Sequence, residues 1–200
     1  MKRGIRFSTI FIGFITLWGL ALFVGTIQRA TSSPILEPEV EMSEQYYSIS
    51  TEARPKALSI PRLEVDAQVQ HVGMARSGRM AVPTNYTDVG WYRYGVSPGQ
   101  SGNAVFAGHL DNGFGRPGVF NRLQELEVND DIFITNEDGQ RLHFKVMKTE
   151  QLSADTFSTS SVFTGDNGAF IKLITCEGQW DSATKTYSER LVITARLIPD

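Results

Sequence analysis

One cysteine, three histidines and little net charge limit what this 200-residue chain can be. With Cys176 alone, no intrachain disulfide can form and no cysteine cluster can bind a metal. Lys and Arg number 19 against 22 Asp and Glu, a formal charge of -3, so there is no strong positive field to hold a phosphate backbone. That excludes nucleic acid as a partner class. No internal repeat or low-complexity tract is present, no acidic pattern identifies a calcium site, and nothing calls for a cofactor. The length excludes two large domains, and 41% hydrophobic residues are enough for one real core.

What is present begins with a run free of charge. Phe7 to Ile27 holds 21 residues without one charged side chain, and as a helix it would extend about 31 Å, the thickness of a bilayer's hydrocarbon core. Lys2, Arg3 and Arg6 precede it, so the positive-inside bias predicts a cytoplasmic N-terminus and an extracytoplasmic remainder. A cleaved signal peptide fits poorly, because its apolar region spans only about 7 to 15 residues and leads to a small-residue exit site. The expectation is residues 1–27 as cytoplasmic tip and single-pass membrane anchor. Residues 28–57 contain Pro34, Pro38 and Pro55, few large apolar side chains and an acidic excess, and read as an extracytoplasmic linker.

From residue 58 to residue 200 the pattern changes to short alternating runs punctuated by Gly, Pro, Asn and Asp, which predicts an all-β domain, a barrel or a sandwich. Strands are legible at 65–72, 103–109, 131–135, 141–147, 169–176 and 190–197, with Asp138-Gly139 marking a hairpin. One helix is expected, with Pro117 in its first turn and Val119, Phe120, Leu123 and Leu126 on one face.

Candidate chemistry starts at Cys176, an odd cysteine at the end of the strand Ala169–Thr175, where Glu177-Gly178 opens a loop. A thiol is only a few per cent ionised at neutral pH and needs a partner. His71 and His143 sit inside polar–apolar alternations and read as strand histidines, whereas His109 ends a strand just after Gly108. A donor for a tetrahedral oxyanion is available in Arg190, 14 residues after Cys176, although Arg196 shares its strand face and spacing does not choose between them. Asp111 and Glu177 flank these candidates and read either as tuning charges or as solvated strand-end carboxylates.

Leu173-Ile174-Thr175-Cys176, preceded by Ala107-Gly108-His109 and followed by Arg190-Leu191-Val192-Ile193-Thr194-Ala195, resembles the sortases over roughly residues 58–197. The segments Gly118–Leu123 and Val128–Ile132 match the helix and turn usual after the histidine strand. The resemblance implies an eight-stranded closed β-barrel with one or two short helices, belonging to a membrane-anchored cysteine transpeptidase of mostly Gram-positive bacteria. It implies cleavage of an LPxTG-like sorting signal between Thr and Gly through a thioester, and transfer of the protein to an amine of a cell-wall precursor or a pilin lysine. Cys176 would be the nucleophile, His109 the general acid and base, and Arg190 the oxyanion donor. Thr175 would support the substrate pocket, and the loop Ser153–Gly168 would wall it with Phe157, Val162 and Phe163. Lys172 departs from the family motif, which has Thr there, and the nearest subgroup is class D, E or F. Two other readings use the same residues: a cell-wall cysteine hydrolase, and a non-catalytic anchored binding barrel.

Overall fold

The computed structural model describes residues 54–157, 162–164 and 167–199. The apolar run Phe7–Ile27 and most of the expected linker lie outside these residues. Among the described residues no helix is long and apolar enough to cross a membrane.

Eight strands carry the chain: β1 (Pro55–Ile60), β2 (Val65–Val72), β3 (Val89–Tyr92), β4 (Gly102–Ala107), β5 (Asp131–Asn136), β6 (Arg141–Ser153), β7 (Ala169–Asp181) and β8 (Thr186–Leu197). They close into a barrel in the order β1-β2-β3-β4-β7-β8-β6-β5, with β5 pairing back to β1, so the described sheet has no free edge. The pairs β2–β3 and β4–β7 are parallel and the others antiparallel. Alternation explains the strands. In β5, Ile132 and Ile134 are buried while Asp131, Phe133 and Thr135 are partly open, and β5 turns into β6 at Asp138-Gly139 as the sequence predicts. The barrel is filled by Leu58, Ile60, Phe106, Phe144, Ile171, Leu173 and Ile193, all fully buried, each contributing roughly 1.5–3 kcal/mol over exposure.

Three expectations change. The first strand begins at Pro55, three residues inside the stretch assigned to the linker. The helix expected after Pro117 is not α-helical. The amides of Gly118, Val119 and Phe120 donate to the carbonyls of Leu110, Tyr86 and His109, not to carbonyls four residues back. Only a 3-10 turn at Leu123–Glu125 follows, although Phe120, Leu123 and Leu126 still fill the core. The strands holding Cys176 and Arg190 also run past the expected ends, through a register shift between Glu177 and Trp180, so both residues lie within a ladder.

Candidate active site

Cys176 sits on the middle strand of three. On one side β8 pairs antiparallel with β7, and Arg190 is the direct Cα partner of Cys176. On the other side β4 runs parallel to β7, with Ala107 beside Ile174, and the Gly108 amide donates to the Ile174 carbonyl at 3.0 Å. The parallel pairing ends at that pair: His109 follows Ala107 by two residues, past the end of β4, and Cys176 follows Ile174 by two residues within β7. Cys176 and Arg190 are thus cross-strand partners, and His109 leaves β4 toward the same end of the β4–β7–β8 face. Arg196, the competing donor, pairs with Phe170, six residues from Cys176 and about 20 Å distant at roughly 3.3 Å per residue.

Strand parity decides which side chains share that face. Ile171, Leu173 and Thr175 of β7 are buried, the first two in the barrel core, while Lys172, Ile174 and Cys176 alternate with them to the outer side. Thr175 thus stands beneath the cleft floor instead of lining it, and its buried Oγ1 has no hydrogen-bond partner.

His109 is fixed from several directions. Its Nε2 donates to the Pro83 carbonyl at 3.1 Å, since a carbonyl can only accept. That fixes the proton on Nε2 and leaves Nδ1 as the nitrogen free to take or give a second one. The ring also packs on Tyr86, with centroids 4.9 Å apart. The segment bearing Pro83 and Tyr86 is pinned: Thr84 donates through its amide to Gln70 Oε1, and Asn85 Oδ1 accepts from the Thr87 and Asp88 amides. Behind His109, two close approaches admit only glycine. A Cβ on Gly118 would lie 2.2 Å from the His109 carbonyl oxygen, and one on Gly108 would lie 2.4 Å from the Phe120 ring.

Arg190 is held by its own hairpin. Its Nη1 donates to the carbonyls of Tyr187 (3.0 Å) and Glu189 (2.7 Å), and its Nη2 to Thr186 Oγ1 (2.8 Å). Among the described residues these contacts take three of the five guanidinium hydrogens and leave two for a ligand. Burial pushes the Cys176 thiol above its ordinary range, the Arg190 charge pulls it down and the Asp111 charge pushes it up again. Asp111 is not simply solvated: it accepts from the Tyr187 hydroxyl and, at 2.6 Å, from the Gly113 amide. Glu177 has a buried Oε2 without a partner.

Val162 and Phe163, two of the residues expected to wall the pocket, lie near the start of β4. Val162 is buried, and its carbonyl, with that of Thr164, accepts from the Asn103 side chain at 3.0 and 2.9 Å. Asn103, second in β4, pairs with Phe170 at the end remote from Cys176. Phe163 packs on Tyr92 at 5.0 Å and lines a cavity of about 460 Å³ with Met74, Met80, Tyr94 and Val96. Phe157 is half-buried, and residues 158–161 and 165–166 of this loop lie outside the described set. His71 and His143 are strand histidines, bonded to the Pro55 carbonyl (2.9 Å) and to Asp131 (2.6 Å). Among the described residues no three His, Cys, Asp or Glu stand together as metal ligands. Sequence reasoning missed Pro83, Tyr86, Thr186 and Tyr187. Only the last two carry a local hint, being a few residues before Arg190.

A sortase domain family model matches residues 58–198. No curated protein matches significantly. Among solved structures, sortase C-1 from Actinomyces oris is 22% identical, covering 84% of this chain and 87% of that one, with a TM-score of 0.56. A lid mutant of sortase A from Corynebacterium diphtheriae is 24% identical over 74% of this chain and 72% of that one (TM-score 0.55). Sortase C2 of pilus island 1 from Group B Streptococcus is 20% identical over 72% and 73% (TM-score 0.54). These likenesses carry the fold, and the family model spans well over half the sequence. With an eight-stranded closed barrel and a cysteine ladder-paired to an arginine, the chain belongs to the sortase family of cysteine transpeptidases.

Proposed function

We propose that this sortase cleaves an LPxTG-like sorting signal between Thr and Gly and transfers the acyl group to an amine of a cell-wall precursor or a pilin lysine. The observation that supports the reading is the register that pairs Arg190 with Cys176, with His109 two residues past the end of the strand on the other side. Such an arrangement supplies nucleophile, proton carrier and oxyanion donor together.

Burial favours the neutral form of Cys176, and the first step is proton transfer from its Sγ to His109 Nδ1 as sulfur attacks the Thr carbonyl carbon. The tetrahedral oxygen takes its negative charge toward the unengaged hydrogens of Arg190. Collapse breaks the Thr–Gly C–N bond, the imidazolium passes its proton to the departing Gly amine, and a thioester remains on Cys176. An incoming amine attacks that thioester, loses its proton to His109, and the sulfur leaves. Water in place of the amine would release a hydrolysed product.

An extended Leu-Pro-x-Thr segment reaches about 10 Å from its Thr to its Leu, along the stretch floored by Ala107, Ile174 and Lys172. Val162 and Phe163 lie further on, where residues upstream of the motif would contact them. The uncharged run Phe7–Ile27 behind Lys2, Arg3 and Arg6 supports a single N-terminal membrane span with the barrel outside the cell.

The test is cleavage of a quenched LPxTG-like peptide with and without an amine acceptor. Wild-type protein is expected to cleave and to ligate the acceptor, and Cys176→Ala to fall to background. Turnover by the alanine variant ends the reading, and cleavage without ligation makes the enzyme a hydrolase.

A further inference from the structure

The catalytic row is spanned by a contact it does not itself use. Asp111 lies two residues after His109, and Tyr187 lies three residues before Arg190. Their side chains meet, the Tyr187 hydroxyl donating to Asp111 Oδ2, although 76 residues separate them. Both partners are fixed independently. Asp111 Oδ1 accepts the Gly113 amide, and its backbone bridges to Pro117; the Tyr187 ring packs edge-on against Trp180 with centroids 5.2 Å apart. The Tyr187 carbonyl in turn accepts Arg190 Nη1. A continuous path of contacts therefore runs from the His109 segment through Asp111 and Tyr187 to the Arg190 guanidinium, passing over the strand that carries Cys176.

We propose that the Asp111–Tyr187 hydrogen bond is a strap that holds the Arg190 turn against the His109 segment, making both residues positioning residues for acyl transfer. This deepens the function proposed above and, for its kinetic readout, rests on it. The Tyr187 hydroxyl is pushed up to about 12, chiefly by its bond to Asp111, so it remains a donor at any working pH. The strap adds a second effect, because the Asp111 carboxylate bears on the thiol with a sign opposite to that of Arg190. The charged and titratable groups around Cys176 are His109 and Asp111 from the β4 exit, Arg190, Glu189 and Tyr187 from the β8 hairpin, and Glu177 and Lys172 from its own strand.

Two substitutions in the full chain separate the strap from the charge. Tyr187→Phe keeps the ring and the backbone carbonyl but removes the donor; Asp111→Asn keeps an acceptor for the hydroxyl but removes the charge. Each is measured for kcat and KM on the sorting-signal peptide and for the pH midpoint of Cys176 alkylation by iodoacetamide, which needs no substrate. Tyr187→Phe is expected to lower kcat about tenfold or more with KM nearly unchanged, as for a displaced catalytic group. Its alkylation midpoint should rise, because Arg190 is loosened and the carboxylate loses its donor. Asp111→Asn is expected to keep most of kcat and to shift the midpoint down, since a like charge is gone. A wild-type kcat in Tyr187→Phe, or midpoints that move together or not at all, overturns the strap. If the wild-type protein fails to cleave sorting-signal peptides, the proposed function falls, and the opposed alkylation midpoints alone decide the strap.

Discussion

At the Cys176 end of the β4–β7–β8 face, side chains are fixed by directional bonds: His109 to the Pro83 carbonyl, Arg190 to Thr186, Tyr187 and Glu189, and Asp111 to Tyr187. At the Asn103 end, about 20 Å along the same strands, the surface is a cavity of Met74, Met80, Tyr92, Tyr94, Val96 and Phe163, with Met74 and Tyr94 largely exposed. One end is built from groups that tolerate little displacement, the other from side chains that adapt to what they touch. Under the proposed function the first would make and break bonds and the second would grip residues upstream of the motif, within one sheet.

The sharpest way to break that division is to exchange the arginines at its two ends. Arg190→Lys keeps the charge but loses the planar fork and the hairpin contacts, and kcat should fall roughly a hundredfold or more, as when one oxyanion donor is removed. Arg196→Lys, at the remote end, should leave kcat unchanged in the same assay, and equal losses from the two would dissolve the distinction. A smaller effect is expected from Gly118→Ala, whose methyl would press on the His109 carbonyl. Overpacking of this kind costs about 1–3 kcal/mol. Urea unfolding should show the loss, with kcat falling among molecules that remain folded.

At the soft end, Asn103→Ala removes the two bonds that hold the Val162 and Thr164 carbonyls, which should cost about 1–2 kcal/mol and raise KM more than it lowers kcat. The mildest change is Phe163→Ala. It should raise KM severalfold, roughly the 10-fold ceiling of about 1.4 kcal/mol for a partly exposed apolar contact, and only for peptides extended upstream of the motif. An equal rise for the bare five-residue motif would place the signal's Leu against Phe163 itself.

The chemistry-bearing residues were easier to find in the sequence than the residues that hold them. Cys176, His109 and Arg190 stand out because each interrupts or ends a strong strand pattern, and the ladder pairs Cys176 with Arg190. Pro83 contributes a carbonyl, which no side-chain pattern records, and Tyr187 meets Asp111 across 76 residues of chain. Among the strands, Pro55 gives the start of β1 the look of linker, and the four-residue β3 is too short to show a period. The apolar spacing after Pro117 correctly marked core residues but mistook their backbone, since three successive amides there bond to Leu110, Tyr86 and His109. Of the residues expected to wall the pocket, Val162 and Phe163 lie near Asn103 at the start of β4, while the first residues of their loop leave β6 beside Glu189 and Ser188.

The claim on which everything else depends is that Cys176 carries the acyl group. Intact-mass measurement of the full chain, quenched in acid during turnover of an LPxTG-like peptide without added amine, tests it directly. The expected result is an adduct equal to the peptide's acyl portion, located at Cys176, removed by hydroxylamine and discharged when an amine acceptor is supplied. Peptide cleavage with no adduct at Cys176 at any time, or with an adduct that an amine cannot discharge, would contradict it.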